Sequence, residues 1–347
     1  MKKIELIERS HVFTENDHPF KSCHCSSLVK NENGDILVTY FAGEHEGSMD
    51  QGIWLSRKIS GVWQAPKRIK YMHGFIHWNP LLHYEDGVTY LFYKVGMTVA
   101  GWYTMFSVSY DFGETWSESR ELVEDDHTPR GSSKNKVVVR DDGVWLGPCS
   151  VEKIRDWDSY IDISRDKGKT WEIKPITIDH RDNEIAEKVE WDEIENLWIS
   201  DAQTILRWDG IIQPSIWKSG EGQYHALMRS TRGWVYRTDS TDNGETWSPA
   251  YQTDLPNNNS GIDLVGLPDG AVVLVYNPIS ADWGSRSPLT VAVSTDNGKT
   301  WIKALDLETE KGEFSYPAII YEGGLLEITY TWRRTSIVHC TLKVTDC

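Results

Sequence analysis

The chain has 347 residues, 39% of them hydrophobic, and a formal net charge of −16 at pH 7. That acidity argues against nucleic acid or an anionic membrane surface as a partner, because phosphate binding requires a basic face. No segment is apolar and long enough to span a bilayer, and acidic residues interrupt Met1–Ser10 where a signal core would have to be, which predicts a cytoplasmic protein.

The chain opens with Lys3–Glu8, read as a strand. Six later segments each predict a strand running into a turn: Cys23–Val29 before Asn33-Gly34, Trp78–Leu82 before Asp86-Gly87, Asn135–Val139 before Asp142-Gly143, Gln213–Trp217 before Gly220–Gly222, Ser260–Val265 before Asp269-Gly270, and Tyr316–Ile320 before Gly323-Gly324. Interleaved with them is the pattern S-x-D-x-G-x-T-W, at Ser109–Trp116, Ser164–Trp171, Ser240–Trp247 and Ser294–Trp301, with a weaker copy at Ser56–Trp63 that lacks the Asp. Its logic is a tight turn: the carboxylate accepts downstream N–H groups, Gly supplies φ > 0, and Trp anchors the turn. A period of about fifty residues with alternating strands is the mark of a propeller built from four-stranded blades.

The one long interval between copies holds the polar stretch Thr177–Ser200, read as an insertion. The last repeat has three strands of its own, Tyr316–Tyr321, Leu325–Trp332 and Ser336–Val344, so Lys3–Glu8 is expected to add the fourth. The prediction is an all-β chain, a single domain over residues 1–347. It is a six-bladed β-propeller of four-stranded antiparallel blades, its ring closed by the N-terminal strand.

In such a fold the pocket lies on the axis, where the inner strands begin. The residues there are His24, Asn79, Asn135 with Lys136, Gln213, Ser260 and Tyr316, a polar ring suited to a sugar. Among the 17 Trp, Trp78, Trp102, Trp283 and Trp332, which lie outside the turn motifs, are the better candidates for stacking on it. The five cysteines suggest free thiols. Strand alternation would point Cys23 and Cys25 away from His24, so no metal is expected, and no cofactor.

The boxes, the period and the inner-strand motifs resemble the sialidase (neuraminidase) superfamily over about Cys23 to Arg334. That resemblance implies three arginines for a substrate carboxylate, an Asp acid/base and a Tyr nucleophile activated by a Glu. Tyr is used because a carboxylate nucleophile would be repelled by the substrate's own. Tyr316 matches the nucleophile, Arg286 and Arg229 two of the arginines, and Asp50 the acid/base. Two positions depart: His24 stands where the first arginine is expected and Gln213 where the Glu is expected, and an amide cannot take the phenol proton.

This altered set is more similar to bacterial sialidase-like α-L-rhamnosidases with a pocket histidine. By that resemblance His24 is the first candidate for acid/base chemistry, since imidazole titrates near neutrality, and Asp50 the second. Tyr316 and Gln213 would orient the sugar; Arg229 and Arg286, with Lys94 or Lys136, would hold a uronic-acid carboxylate, and Asn79 and Trp78 would line the pocket. The expected function is an exo-acting glycoside hydrolase taking acidic oligosaccharides. The alternatives are a divergent exo-α-sialidase, a uronate lyase or a non-catalytic glycan-binding propeller.

Overall fold

The computed structural model describes residues 2–14, 16–153, 155–181 and 208–346, so most of the expected insertion, 182–200, lies outside the described residues. The chain is all-β: the described residues form 25 strands and one short 3-10 turn, Val99–Gly101. In chain order the strands are β1 (Lys2–His11); β2 (Ser22–Lys30), β3 (Ile36–Gly43), β4 (Gly52–Ile59), β5 (Val62–Trp63) and β6 (Lys67–Lys70); and β7 (Ile76–Glu85), β8 (Val88–Gly96), β9 (Tyr103–Ser109) and β10 (Arg120–Glu121). There follow β11 (Val138–Val139), β12 (Trp145–Glu152), β13 (Asp156–Ser164) and β14 (Glu172–Ile176); and β15 (Asp209–Gly220), β16 (Gln223–Ser230), β17 (Trp234–Ser240) and β18 (Tyr251–Pro256). The last are β19 (Asp263–Gly266), β20 (Val272–Tyr276), β21 (Leu289–Ser294) and β22 (Ile302–Glu308); and β23 (Phe314–Glu322), β24 (Leu325–Trp332) and β25 (Ser336–Asp346).

Each of the six groups that follow β1 is an antiparallel meander. The N-terminal strand β1 pairs along β25, from Lys2 opposite Asp346 to His11 opposite Val338, and so becomes the fourth strand of the last group. The third and fourth groups share hydrogen bonds through a short parallel pairing of Asp156 with Asp209 and Trp157 with Gly210, giving one sheet of eight strands where two of four were expected. The chains approach so closely there that a Cβ on Gly210 would lie 2.0 Å from the Trp157 carbonyl oxygen. The third inner strand is shorter than expected, because Asn135 and Ser132 bond to one another's segment and to neighbouring groups instead of to a ladder.

Six apolar clusters lie between consecutive groups. Leu37 and Leu55 pack with Leu82 and Leu91, Leu81 and Phe92 with Trp145, Leu146 and Ile163 with Ile216 and Tyr224. Trp217 and Leu227 pack with Leu264 and Leu274, and Val273 and Val291 with Ile319 and Ile328. The sixth joins the last group to the first, with Ala318 and Ile337 on Val38 and Tyr40. Each large side chain so buried contributes about 1.5–3 kcal/mol, so every group depends on its neighbours for a core.

The repeated turns have one geometry. Ser109 Oγ donates to Asp111 Oδ1 at 2.8 Å and accepts the Gly113 N–H at 2.8 Å, while Thr115 donates its N–H and hydroxyl to the same carboxylate at 2.9 and 2.5 Å. Asp166, Asp242 and Asp296 repeat it. Gly113 has φ of 80° and sits against Leu37 and Leu55 of the preceding group, which explains why each turn needs glycine.

Candidate functional site

Four inner strands carry the same irregularity. In β2 the register passes from His24–Phe41 to Ser27–Thr39, so Cys25 and Ser26 together face a single partner residue. The same extra residue occurs between Trp78 and Leu81, Ile212 and Ser215, and Ser315 and Ala318. The first bulge residue is left-handed each time: Cys25 at φ 57°, Asn79 at 36°, Gln213 at 58° and Tyr316 at 52°. In three of the four the next residue is proline, Pro80, Pro214 or Pro317, which fits a position whose N–H has left the ladder. A left-handed non-glycine residue costs roughly 1–2 kcal/mol, and such strain concentrates at functional sites.

Two of these bulge residues, Gln213 and Tyr316, meet. A Cβ on Gly261, two residues before β19, would lie 3.0 Å from Lys134 Cε and 3.3 Å from both Gln213 Oε1 and Tyr316 Cδ2. The His24 and Tyr316 rings are 4.2 Å apart. The bulge also corrects the expected alternation in Cys23-His24-Cys25. Cys25 occupies the place of Tyr316, His24 occupies that of Ser315, and the two thiols enter different cores, Cys23 toward the last group and Cys25 toward the second.

Two guanidiniums lie against Tyr316, and a third is linked to one of them through Glu313. Arg229, 2% exposed, donates to Tyr316 Oη at 2.6 Å, to Asn259 Oδ1 at 2.9 Å and to Gln213 Oε1 at 3.4 Å. Its guanidinium carbon lies 5.7 Å from the Trp157 ring and 5.9 Å from that of Trp283, and no carboxylate pairs with it among the described residues. Arg286 lies 5.6 Å over the Tyr316 ring and pairs with Glu313 at 2.6 Å. Arg334 pairs with the same Glu313 and with Glu46, both at 2.5 Å. The sequence signal of Arg334 is the doublet Arg333-Arg334, which turns the chain with both residues at positive φ.

Several expected roles change. His24 is 2% exposed and bonded to Thr331 Oγ1 at 2.8 Å. Burial, then the charges of Arg334, Arg286, Arg229 and Lys134, hold its imidazole well below the ordinary range, so it stays neutral where it was expected to titrate near pH 7. Asp50 folds back on its own loop: burial alone would raise its carboxyl, but bonds from Ser48 and from the Glu44 N–H outweigh that and hold it low, the reverse of what an acid catalyst needs. Lys94 is fully buried against Thr104, the Arg130 carbonyl and Cys149, and Lys136 is spent on Asp263 at 2.8 Å, so neither is free for substrate. Trp78 is 4% exposed and packs in the core against Trp102, whereas Trp283, 41% exposed, stands beside Arg229.

Gln213, Arg229, Arg286 and Tyr316 are therefore brought together as expected, with Asn79 at the matching bulge. Lys134 joins them unforeseen, bonded to Asn135 Oδ1 at 2.9 Å and to the Ile262 and Pro317 carbonyls at 2.7 and 2.6 Å. Two glutamates were also missed, Glu46 on Arg334 and Glu152 at the end of β12. Among the described residues no cluster of His, Cys, Asp and Glu is arranged to hold a metal ion.

A family model described as a BNR repeat-like domain matches residues 34–328. No curated protein matches in sequence. Among solved structures, a Hadza microbial sialidase is similar at a TM-score of 0.73 with 17% identity, over 96% of this chain and 68% of that one. A Dyadobacter fermentans protein of unknown function is similar at 0.71 with 15% identity, over 99% of both chains. The Trypanosoma rangeli sialidase in complex with sialic acid is similar at 0.66 with 13% identity; the match covers 93% of this chain and 54% of the trypanosomal one. These similarities concern the fold alone.

Proposed function

The chain belongs to the BNR repeat-like domain family, and we propose that it is an exo-acting glycoside hydrolase releasing a terminal sugar from acidic oligosaccharides. In this reading the whole chain is one domain, a propeller whose six antiparallel groups are its blades, with β1 completing the last. The mutual packing of consecutive groups, the sixth on the first included, supports that architecture.

One observation carries the function: Arg229 and Arg286 converge on Tyr316, Arg334 is joined to Arg286 through the shared Glu313, and Arg229 has no carboxylate partner among the described residues. A buried guanidinium without a counter-ion is a ready site for a substrate carboxylate, which it can bind through two parallel hydrogen bonds. Trp283 beside it offers an apolar face for a sugar ring. The neutral, buried His24 fits a group that orients substrate through hydrogen bonds better than one that shuttles protons, which weakens the rhamnosidase-like assignment of His24.

The test is a mass-spectrometric screen of the purified protein against sialyl-lactose and rhamnosyl-glucuronic acid glycans, with Arg229→Met alongside. Release of one terminal sugar is expected, with kcat/KM reduced by about a hundredfold or more in the variant, the loss typical of a removed charge-stabilising donor. Binding without turnover would instead favour a glycan-binding module, a reading supported by Gln213, which supplies no base to Tyr316.

A further inference from the structure

The carboxylates around the pocket are almost all committed. Glu313 is shared by Arg286 and Arg334, Glu46 is held by Arg334, Asp263 by Lys136, and Asp282 accepts from Asn259 Nδ2 at 2.9 Å. Asp50 is turned into its own loop. Glu152 is different: it is only half-buried, yet it has no hydrogen-bond or ion-pair partner among the described residues.

Its place in the fold explains why it belongs to the pocket. Glu152 closes β12 and lies opposite Trp157 in the β12–β13 ladder, and Trp157 is the aromatic wall 5.7 Å from the Arg229 guanidinium. Cross-strand neighbours share one face of a sheet, so Glu152 stands on the Trp157 face toward Arg229 from the third group, while Glu46 reaches Arg334 from the first.

We propose that Glu152 is the proton-transfer residue of this site, standing across the ladder from Trp157 on the side of the unpaired Arg229. The inference rests on the hydrolase reading and names the group that would perform its acid/base step. The Glu152 O–H proton passes to the departing glycosidic oxygen as the C–O bond breaks. The water that adds to the anomeric carbon then loses a proton to the Glu152 carboxylate, which restores the acid and balances the hydrolysis. Desolvation first, opposed by Arg229 and Lys94 and reinforced by Glu46, pushes this carboxyl up to about 7, a value suited to giving and taking a proton near neutrality.

The experiment has two arms. Protein labelled with carbon-13 at the glutamate side-chain carboxyls is titrated by NMR. One carboxyl with a midpoint near 7 is expected, absent in Glu152→Gln and shifted down in Glu46→Gln. In parallel, sialyl-lactose and rhamnosyl-glucuronic acid glycans are compared with 4-methylumbelliferyl N-acetylneuraminide and 4-methylumbelliferyl α-L-rhamnoside, whose leaving group needs little protonation. Glu152→Gln is expected to lose about a hundredfold or more on the natural glycan and much less on the activated glycoside, with Glu152→Asp recovering part of the activity. The absence of a glutamate titrating near neutrality, or equal turnover by Glu152→Gln on the natural glycan, overturns the assignment while leaving the hydrolase reading intact. Silence of the wild type on all four probes overturns both.

Discussion

Lys134 shows how much a single buried charge can organise. Its ammonium is 1% exposed and divides its three donors among Asn135, the Ile262 carbonyl and the Pro317 carbonyl, tying the third group to the fifth and sixth. Replacing it by Met leaves two buried carbonyls without that donor, each costing about 1–3 kcal/mol. Lys134→Met should therefore lower the urea midpoint clearly without changing the slope. The pH dependence adds a check with a definite sign. Burial, only partly opposed by Asp263, lowers this group from 10.5 to about 8, so the unfolded chain holds the proton more tightly than the folded one. Stability therefore rises as pH goes from about 8 to 10.5, and the advantage of the wild type over Lys134→Met should widen across that window, as followed by urea denaturation at stepped pH. A constant gap would show that the charge is not desolvated as described.

At the scale of elements, the strands are joined by two kinds of polar device. The Asp-box turns fasten hairpins locally: Asp242 holds Thr246 through its N–H and its hydroxyl, at 2.9 and 2.6 Å, and Ser240 at 2.8 Å. Asp242→Ala should cost about 1–2 kcal/mol in thermal unfolding and leave pocket chemistry unchanged, because the turn is remote from the bulges. Glu327 works between strands. It binds Lys30 of β2 at 2.8 Å, and His339 and Thr341 of β25 at 3.0 and 2.7 Å. Burial alone would raise this carboxyl, but the bonds from His339, Lys30 and Thr341 outweigh it and hold it at about 2. Its folded value is thus below its unfolded one, so its contribution is complete above about pH 4.5 and lost as pH falls toward 2. On the order of 3 kcal/mol is at stake, and Glu327→Gln should be less stable at pH 7 and lose less on acidification between those values, measured by denaturant unfolding.

For the whole molecule the decisive seam is between the chain ends. β1 pairs with β25 along its length, and Ile4 contributes to the apolar cluster shared by the last two groups. Removing residues 2–11 exposes the β25 edge and forfeits a ladder whose bonds are worth about 0.5–1.5 kcal/mol each. If the groups form one closed domain, this truncation should depress a single cooperative calorimetric transition by many degrees. A separate early transition with an unchanged main peak would instead mean that the last group melts alone.

What was legible in the sequence is what short-range chemistry encodes. The S-x-D-x-G-x-T-W turns, the alternating strands and the N-terminal partner of the last group were all readable, because a turn needs its Asp and Gly within a few residues and a strand needs alternation. Tyr316, Gln213, Arg229 and Arg286 were readable through motif position. What only the tertiary structure decided is which side chains have charge to spare. The bulges moved Cys25 into the place given to His24, since one extra residue in a strand reverses every side chain beyond it. Lys94, Lys136 and Asp50 were consumed by internal partners, while Arg334, Lys134 and Glu46 came to the site from distant positions. Charge and protonation depend on burial and on neighbours brought together by the fold, and a linear pattern carries neither.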